Sequence, residues 1–165
     1  MASADTKSTT IQVSSTIGKV SAEYTIPTKA RCIMTLAHGA GANMQHAFMV
    51  ALAAGLAGVG IATLRFNFPF MENKKGRPDT PAVAHETIAA AIDHAQKKYP
   101  KLPLFTAGKS FGGRMTSQYL AANARPEVRG IVFYGFPGAD HSFKAGKRDV
   151  MSELVKATGD WIDAL

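Results

Sequence analysis

The chain has 165 residues and a mass of 17.5 kDa, 46% hydrophobic and 19% charged, enough for one domain over residues 1–165 with an ordinary core. That apolar content excludes a disordered chain, fifteen glycines without a period exclude a collagen-like repeat, and the single Cys32 excludes an internal disulfide and fits a reducing, cytoplasmic compartment. The net charge of +7 comes from scattered basic residues such as Lys74-Lys75, Lys97-Lys98 and Lys147-Arg148, with no interleaved aromatic residues, so solvated faces are expected and nucleic-acid binding is not.

The opening Met1–Lys7 has neither the charged start nor the apolar block of a secretion signal. Ile11–Val13 and Val20–Ile26 are rich in β-formers, with Ile17-Gly18-Lys19 as a turn between them. Cys32–Ala37 is a nearly continuous apolar run, suited to a strand covered on both faces. A glycine-rich loop then leads to a helix over about Gln45–Leu56. No residue from Ala47 to Leu64 is charged, close to the length of a membrane span. Gly58-Val59-Gly60 interrupts that run, so a buried helix followed by the strand Ile61–Phe66 is expected, with no membrane association. Asn67–Thr80 carries Pro69, Gly76 and Pro78 and reads as a loop.

Thr80 and Pro81 fit the cap and first position of a helix with the stripe Ala84, Ile88, Ala91, Ile92, Ala95 and Tyr99, ended by Pro100. Leu104–Ala107 reads as a strand, Arg114–Asn123 as a helix and Ile131–Tyr134 as a strand. A C-terminal helix places Val150, Leu154, Ala157, Trp161 and Leu165 on one face. Strands alternating with helices predict an α/β fold: a mostly parallel sheet with helices on both faces.

The chemistry concentrates in two glycine-rich turns. Gly108-Lys109-Ser110-Phe111-Gly112, followed by Gly113, fits G-x-S-x-G between a predicted strand and a predicted helix. A serine hydroxyl reacts only when it is exposed, near a base and served by hydrogen-bond donors, and a tight strand-to-helix turn supplies the exposure. The same letters end the phosphate-loop pattern G-x-x-x-x-G-K-[ST]. Pro103 stands where that pattern needs glycine, however, and Leu104–Ala107 are strand residues, so nucleotide binding is not expected. The second turn, His38-Gly39-Ala40-Gly41, follows the strand ending at Ala37. It is placed to offer the amides of Ala40 or Gly41, together with that of Phe111, to a developing oxyanion. Of five histidines, His141 lies in a late loop, in the order expected of a base that follows its nucleophile. His85-Glu86 begins H-E-x-x-H, but Ala89 occupies the second histidine's place, which rejects a metal site.

Together, His38–Ala42, Arg65-Phe66-Asn67-Phe68-Pro69, Gly108–Arg114 and Tyr134-Gly135-Phe136-Pro137 resemble the α/β-hydrolase superfamily, in particular its small dienelactone-hydrolase-like members. The likeness resumes at Gly138–Phe143. It implies Ser110 as nucleophile, His141 as base and an oxyanion hole from Ala40, Gly41 and Phe111, with Gly39, Gly108, Gly112 and Gly113 as the loop and elbow glycines. The chain departs from the family between Pro137 and Gly138, where the family holds several tens of residues, including two strands and the triad acid. The expected sheet is therefore shortened after its sixth strand. Glu127 stands at the wrong end of that strand, Asp140 is adjacent to His141, and Asp149 and Asp160 follow it, so no residue is assigned as the acid.

The expectation is a serine hydrolase acting on an ester or related acyl bond of a small molecule, without metal or organic cofactor. The alternatives are an inactive member of the fold kept for partner binding, and an anion-binding module on the basic loops. Met44, Phe48, Phe68, Phe70 and Phe111 are candidates for an acyl pocket, weighed against plain core packing, which is favoured for each. The uncovered edge near Ile131–Phe136 predicts a homodimer.

Overall fold

The computed structural model describes residues 4–135, 140–141 and 143–165; the Pro137–Gly138 junction and Ser142 lie outside the described residues. Two long strands, β1 (Ala4–Ser14) and β2 (Gly18–Pro27), form an antiparallel hairpin. Both outrun their predicted spans, because the polar Thr and Ser positions of β1 sit on an exposed edge that needs no apolar alternation. Then follow β3 (Cys32–Ala37), α1 (Ala47–Gly58), β4 (Ile61–Phe66), α2 (Pro69–Glu72), α3 (Pro81–Lys98), β5 (Leu104–Gly108), α4 (Phe111–Ala122), β6 (Val128–Phe133) and α5 (Val150–Asp163).

These strands make one six-stranded sheet in the order β1-β2-β4-β3-β5-β6. The hairpin joins β4 antiparallel, and β4, β3, β5 and β6 run parallel, as the alternating pattern predicts. Every residue of β3, β4 and β5 is buried, so these strands read as apolar runs without alternation. Ile33 and Ala37 pack with the buried stripe of α3 and with Met115 and Tyr119 of α4. Cys32, Met34 and Leu36 point to the other face, where Leu52 and Leu56 of α1 and Leu154 and Val155 of α5 close a second core. Each such Leu or Ile contributes about 2 kcal/mol on burial, so the central strands are held from both sides.

Three expectations are corrected. Asn67–Thr80 is not all loop, because Pro69 starts the one-turn helix α2. The helix after the serine turn begins at Phe111, three residues earlier than predicted, because the turn feeds straight into it. The buried face of α5 is Val150, Leu154, Val155, Thr158 and Gly159, whereas Ala157, Trp161 and Leu165 are exposed. Among the described residues the sheet ends at β6, and Trp161 lies over that edge strand, packed edge-on against Phe105 and close to Gly130, while Ala157 shares its open cleft with Ile131 and Phe133. The same edge leaves Phe133 56% and Trp161 38% exposed.

Candidate active site

The C-terminal ends of the parallel strands β3 and β5 bring the two glycine-rich turns together. β5 ends at Gly108, and α4 starts at Phe111, so only Lys109 and Ser110 make the turn. Ser110 pays for this with φ 52° and ψ −116°, a conformation that costs a non-glycine residue about 1–3 kcal/mol. Its hydroxyl makes no cap bond to the helix, and the residue is exposed. The close approach of strand and helix requires glycine at two positions. A methyl group at Gly108 would lie 2.6 Å from the Gly113 Cα, and one at Gly112 would lie 2.6 Å from the His38 carbonyl oxygen. A methyl group at Gly113 would lie 3.0 Å from the Gly108 carbonyl oxygen, a milder conflict, and one at Gly39 would lie 3.6 Å from the Ser110 Cβ, an ordinary contact.

The loop after β3 is held by buried hydrogen bonds. The Phe68 amide donates to His38 Nε2 at 3.0 Å, so the neutral ring carries its proton on Nδ1 and donates it to the Gly39 carbonyl at 2.8 Å. His38 is fully buried against the rings of Phe68 and Phe70. Burial pushes its pKa down to about 4, with the Gly39 bond opposing the shift. The trans peptide that turns its carbonyl toward His38 turns the Ala40 amide the opposite way. Further along, Arg65 donates to the Met44 carbonyl at 2.6 Å and pairs with Glu23, while Asn67 accepts the Met44 amide at 2.9 Å. Arg65, Asn67 and the Phe68 amide thus brace the loop from β4, a role that the sequence reading did not assign to them. Their spacing after an apolar strand was the available signal.

Among the described residues, the amides of Ala40, Gly41 and Phe111 have no acceptor in the protein. Ala40, Ser110 and Phe111 line one cavity of about 480 Å³ with Pro78, Asp79, Pro81, Arg114 and Met115. On the other side of Ser110, a second cleft of about 370 Å³ is lined by Lys109, Ser110, Tyr134, Gly135, Asp140, His141 and Phe143. Ser110 and His141 therefore share a cleft, but no described hydrogen bond joins them, and none joins His141 to a carboxylate. Glu127 pairs with Arg125, Asp149 caps α5 and Asp160 pairs with Lys156.

Residues 30–148 match the family model of the alpha/beta hydrolase domain. The chain belongs to the α/β-hydrolase family. This α/β hydrolase is similar in fold to a dienelactone hydrolase from Anabaena variabilis (15% identity, 98% of each chain covered, TM-score 0.71). It is also similar to a protein of unknown function from Agrobacterium tumefaciens (20% identity, 95% of each chain, TM-score 0.73). A third similar structure is a cold-adapted esterase from an Arctic intertidal metagenomic library (19% identity, TM-score 0.63). There the match covers 79% of this chain and 60% of the esterase. No curated protein matches the chain.

Of the acyl-pocket candidates in this hydrolase, Met44, Phe68 and Phe70 are core residues, in line with the core packing favoured for each, Phe48 does not line the Ser110 cavity, and Phe111 does. Pro78, Pro81 and Met115 supply the apolar wall instead, from a loop and helix start that carry no periodic signal. Among the described residues no cluster of His, Cys, Asp and Glu is arranged to hold a metal ion, and no helix is long and apolar enough to cross a membrane.

Proposed function

We propose that this α/β hydrolase is a serine hydrolase of small-molecule esters or related acyl compounds, working in the cytoplasm. The observation that carries the reading is the cavity lined together by an exposed, strained Ser110 and by Ala40 and Phe111, whose amides have no described protein acceptor. In this reading Ser110 Oγ attacks the acyl carbon while His141 takes its proton. The carbonyl oxygen, now negative, is received by the amides of Phe111 and of Ala40 or Gly41. Collapse breaks the ester bond, His141 returns the proton to the leaving alcohol, and the acyl group remains on Ser110. A water molecule deprotonated by His141 then releases the acid and regenerates the serine. The cavity's mixed wall, apolar at Pro78, Pro81 and Met115, suits a short acyl chain.

The second reading, an inactive fold kept for partner binding, draws on the engagement of Glu127 with Arg125, of Asp149 with the start of α5 and of Asp160 with Lys156, since losing the acid's role costs about 10⁴ in rate. Hydrolysis of p-nitrophenyl acetate and butyrate by the purified protein separates the two. Turnover that falls about 10³-fold or more in Ser110→Ala, with the melting temperature retained, supports the hydrolase. Turnover unchanged by that substitution removes Ser110 from the mechanism.

A further inference from the structure

The reading above leaves open what keeps His141 at Ser110, because the segment that carries it lies beyond the last strand. The segment is a closed turn: the Phe143 amide donates to the Asp140 carbonyl at 2.9 Å, the Asp140 amide to the Lys144 carbonyl at 3.0 Å, and the Lys144 amide to Asp140 Oδ1 at 2.9 Å. His141 is exposed on this turn and lines the Ser110 cleft, while Phe143 is half-buried. Phe143 holds φ 62°, a left-handed conformation that a bulky residue adopts only when its surroundings enforce it. What enforces it is visible. The Phe143 ring stacks on Phe48 of α1 with centroids 4.4 Å apart, and the Lys109 ammonium sits 4.9 Å from the Phe143 ring and 5.0 Å from that of Phe48. Lys109 is the residue before Ser110. One cluster therefore joins the His141 turn, the helix α1 and the serine turn.

We propose that Phe143 is a positioning residue that docks the His141 turn against Phe48 and Lys109 and so holds the imidazole within reach of Ser110. The inference rests on Ser110 and His141 acting as proposed above. Phe143 itself touches no reacting atom, and its effect runs through His141 alone. The stack and the cation–π contact are specific to a ring, so an aromatic replacement keeps the dock and an aliphatic one loses it.

The test measures the rate at which a fluorophosphonate probe modifies Ser110, read by intact mass, in Phe143→Gly, Phe143→Tyr, Phe48→Leu and His141→Ala proteins. Glycine relieves the left-handed backbone while deleting the ring, so Phe143→Gly is expected to melt no lower than the parent and yet to label about 10-fold to 100-fold more slowly. Phe48→Leu removes the partner ring from the opposite side and is expected to slow labelling in the same direction. Phe143→Tyr is expected to label within about twofold of the parent. Added imidazole restores much of the lost rate in both Phe143→Gly and His141→Ala, an effect that a merely structural ring would not show. If His141→Ala is slow but Phe143→Gly labels like the parent, the dock is wrong and the base stands. If the parent is unlabelled, or His141→Ala labels as fast as the parent, the base assignment fails and the dock falls with it.

Discussion

The two sides of Ser110 are built differently. On the side of β3 and β4, His38, Gly39 and Arg65 are buried, Asn67 is half-buried, and His38, Arg65 and Asn67 hydrogen-bond to the backbone around the turn. On the side of β6, His141 and Asp140 are exposed on a short turn held by its own amides and by one aromatic stack. The first region is preorganised by the core, whereas the second is attached to it. On the function proposed above, the amides that would receive the oxyanion are fixed by the fold's centre, while the proton-transfer group would depend on a peripheral contact.

Among the described glycines, the tightest approach is at Gly112 and Gly108. A Gly112→Ala change drives a methyl group into the Ala37 and His38 carbonyls, and is expected to cost about 3 kcal/mol or more, a fall in melting temperature of roughly 6–12 °C. An unchanged melting temperature would mean that β3 and α4 are not in contact as described.

His38 gives the next largest effect, through pH. Its pKa is near 6.5 unfolded and about 4 folded, so the unfolded chain binds more protons between those values. Its contribution is fully present above pH 6.5 and is lost as pH falls through 4, amounting to about 3 kcal/mol. Glu72, whose pKa is held low chiefly by bonds from Asn67 and Ser21 against the opposing effect of burial, loses stability in the same direction. The informative quantity is therefore the difference between the parent and His38→Asn. Chemical denaturation at pH 7 and pH 4.5 should show a markedly steeper loss in the parent; parallel losses would contradict a buried neutral imidazole.

Much of this architecture is legible in the sequence. The β3, β4 and β5 runs, the α3 stripe and the serine turn all follow from local pattern, because burial on two faces and a close strand–helix approach leave few residue choices. The brace from Arg65, Asn67 and Phe68 is half legible: Arg65–Pro69 stands out as a motif, but its partners Met44 and His38 lie 21 to 30 positions away, and those of Arg65 and Asn67 are backbone groups. On α5, Leu154, Ala157 and Trp161 do share a face over β6, but apolar spacing does not report how deeply each residue on a face is buried.

Smaller effects probe the serine and the turn. Ser110→Gly removes the hydroxyl and relieves φ 52°, so it should raise stability by about 1 kcal/mol while abolishing turnover; a lower melting temperature would argue against strain at the turn. Asp140→Asn is expected to alter ester turnover by less than about tenfold, because its carboxylate accepts the Lys144 amide and faces Lys109. A loss near 10⁴-fold would make Asp140 the acid. At the β6 edge we propose self-association through Phe133 and the strand beside it. Light scattering at micromolar concentration should report a dimer that Phe133→Lys dissociates, with stability altered by no more than about 0.5 kcal/mol.

The most direct test of an activated Ser110 is the intact mass of the 17.5 kDa protein before and after treatment with a fluorophosphonate probe, alongside Ser110→Ala. A single adduct on the parent and none on the variant is the expected result. No adduct on either protein, with both folded, would contradict it and leave the motifs as a scaffold without a working nucleophile.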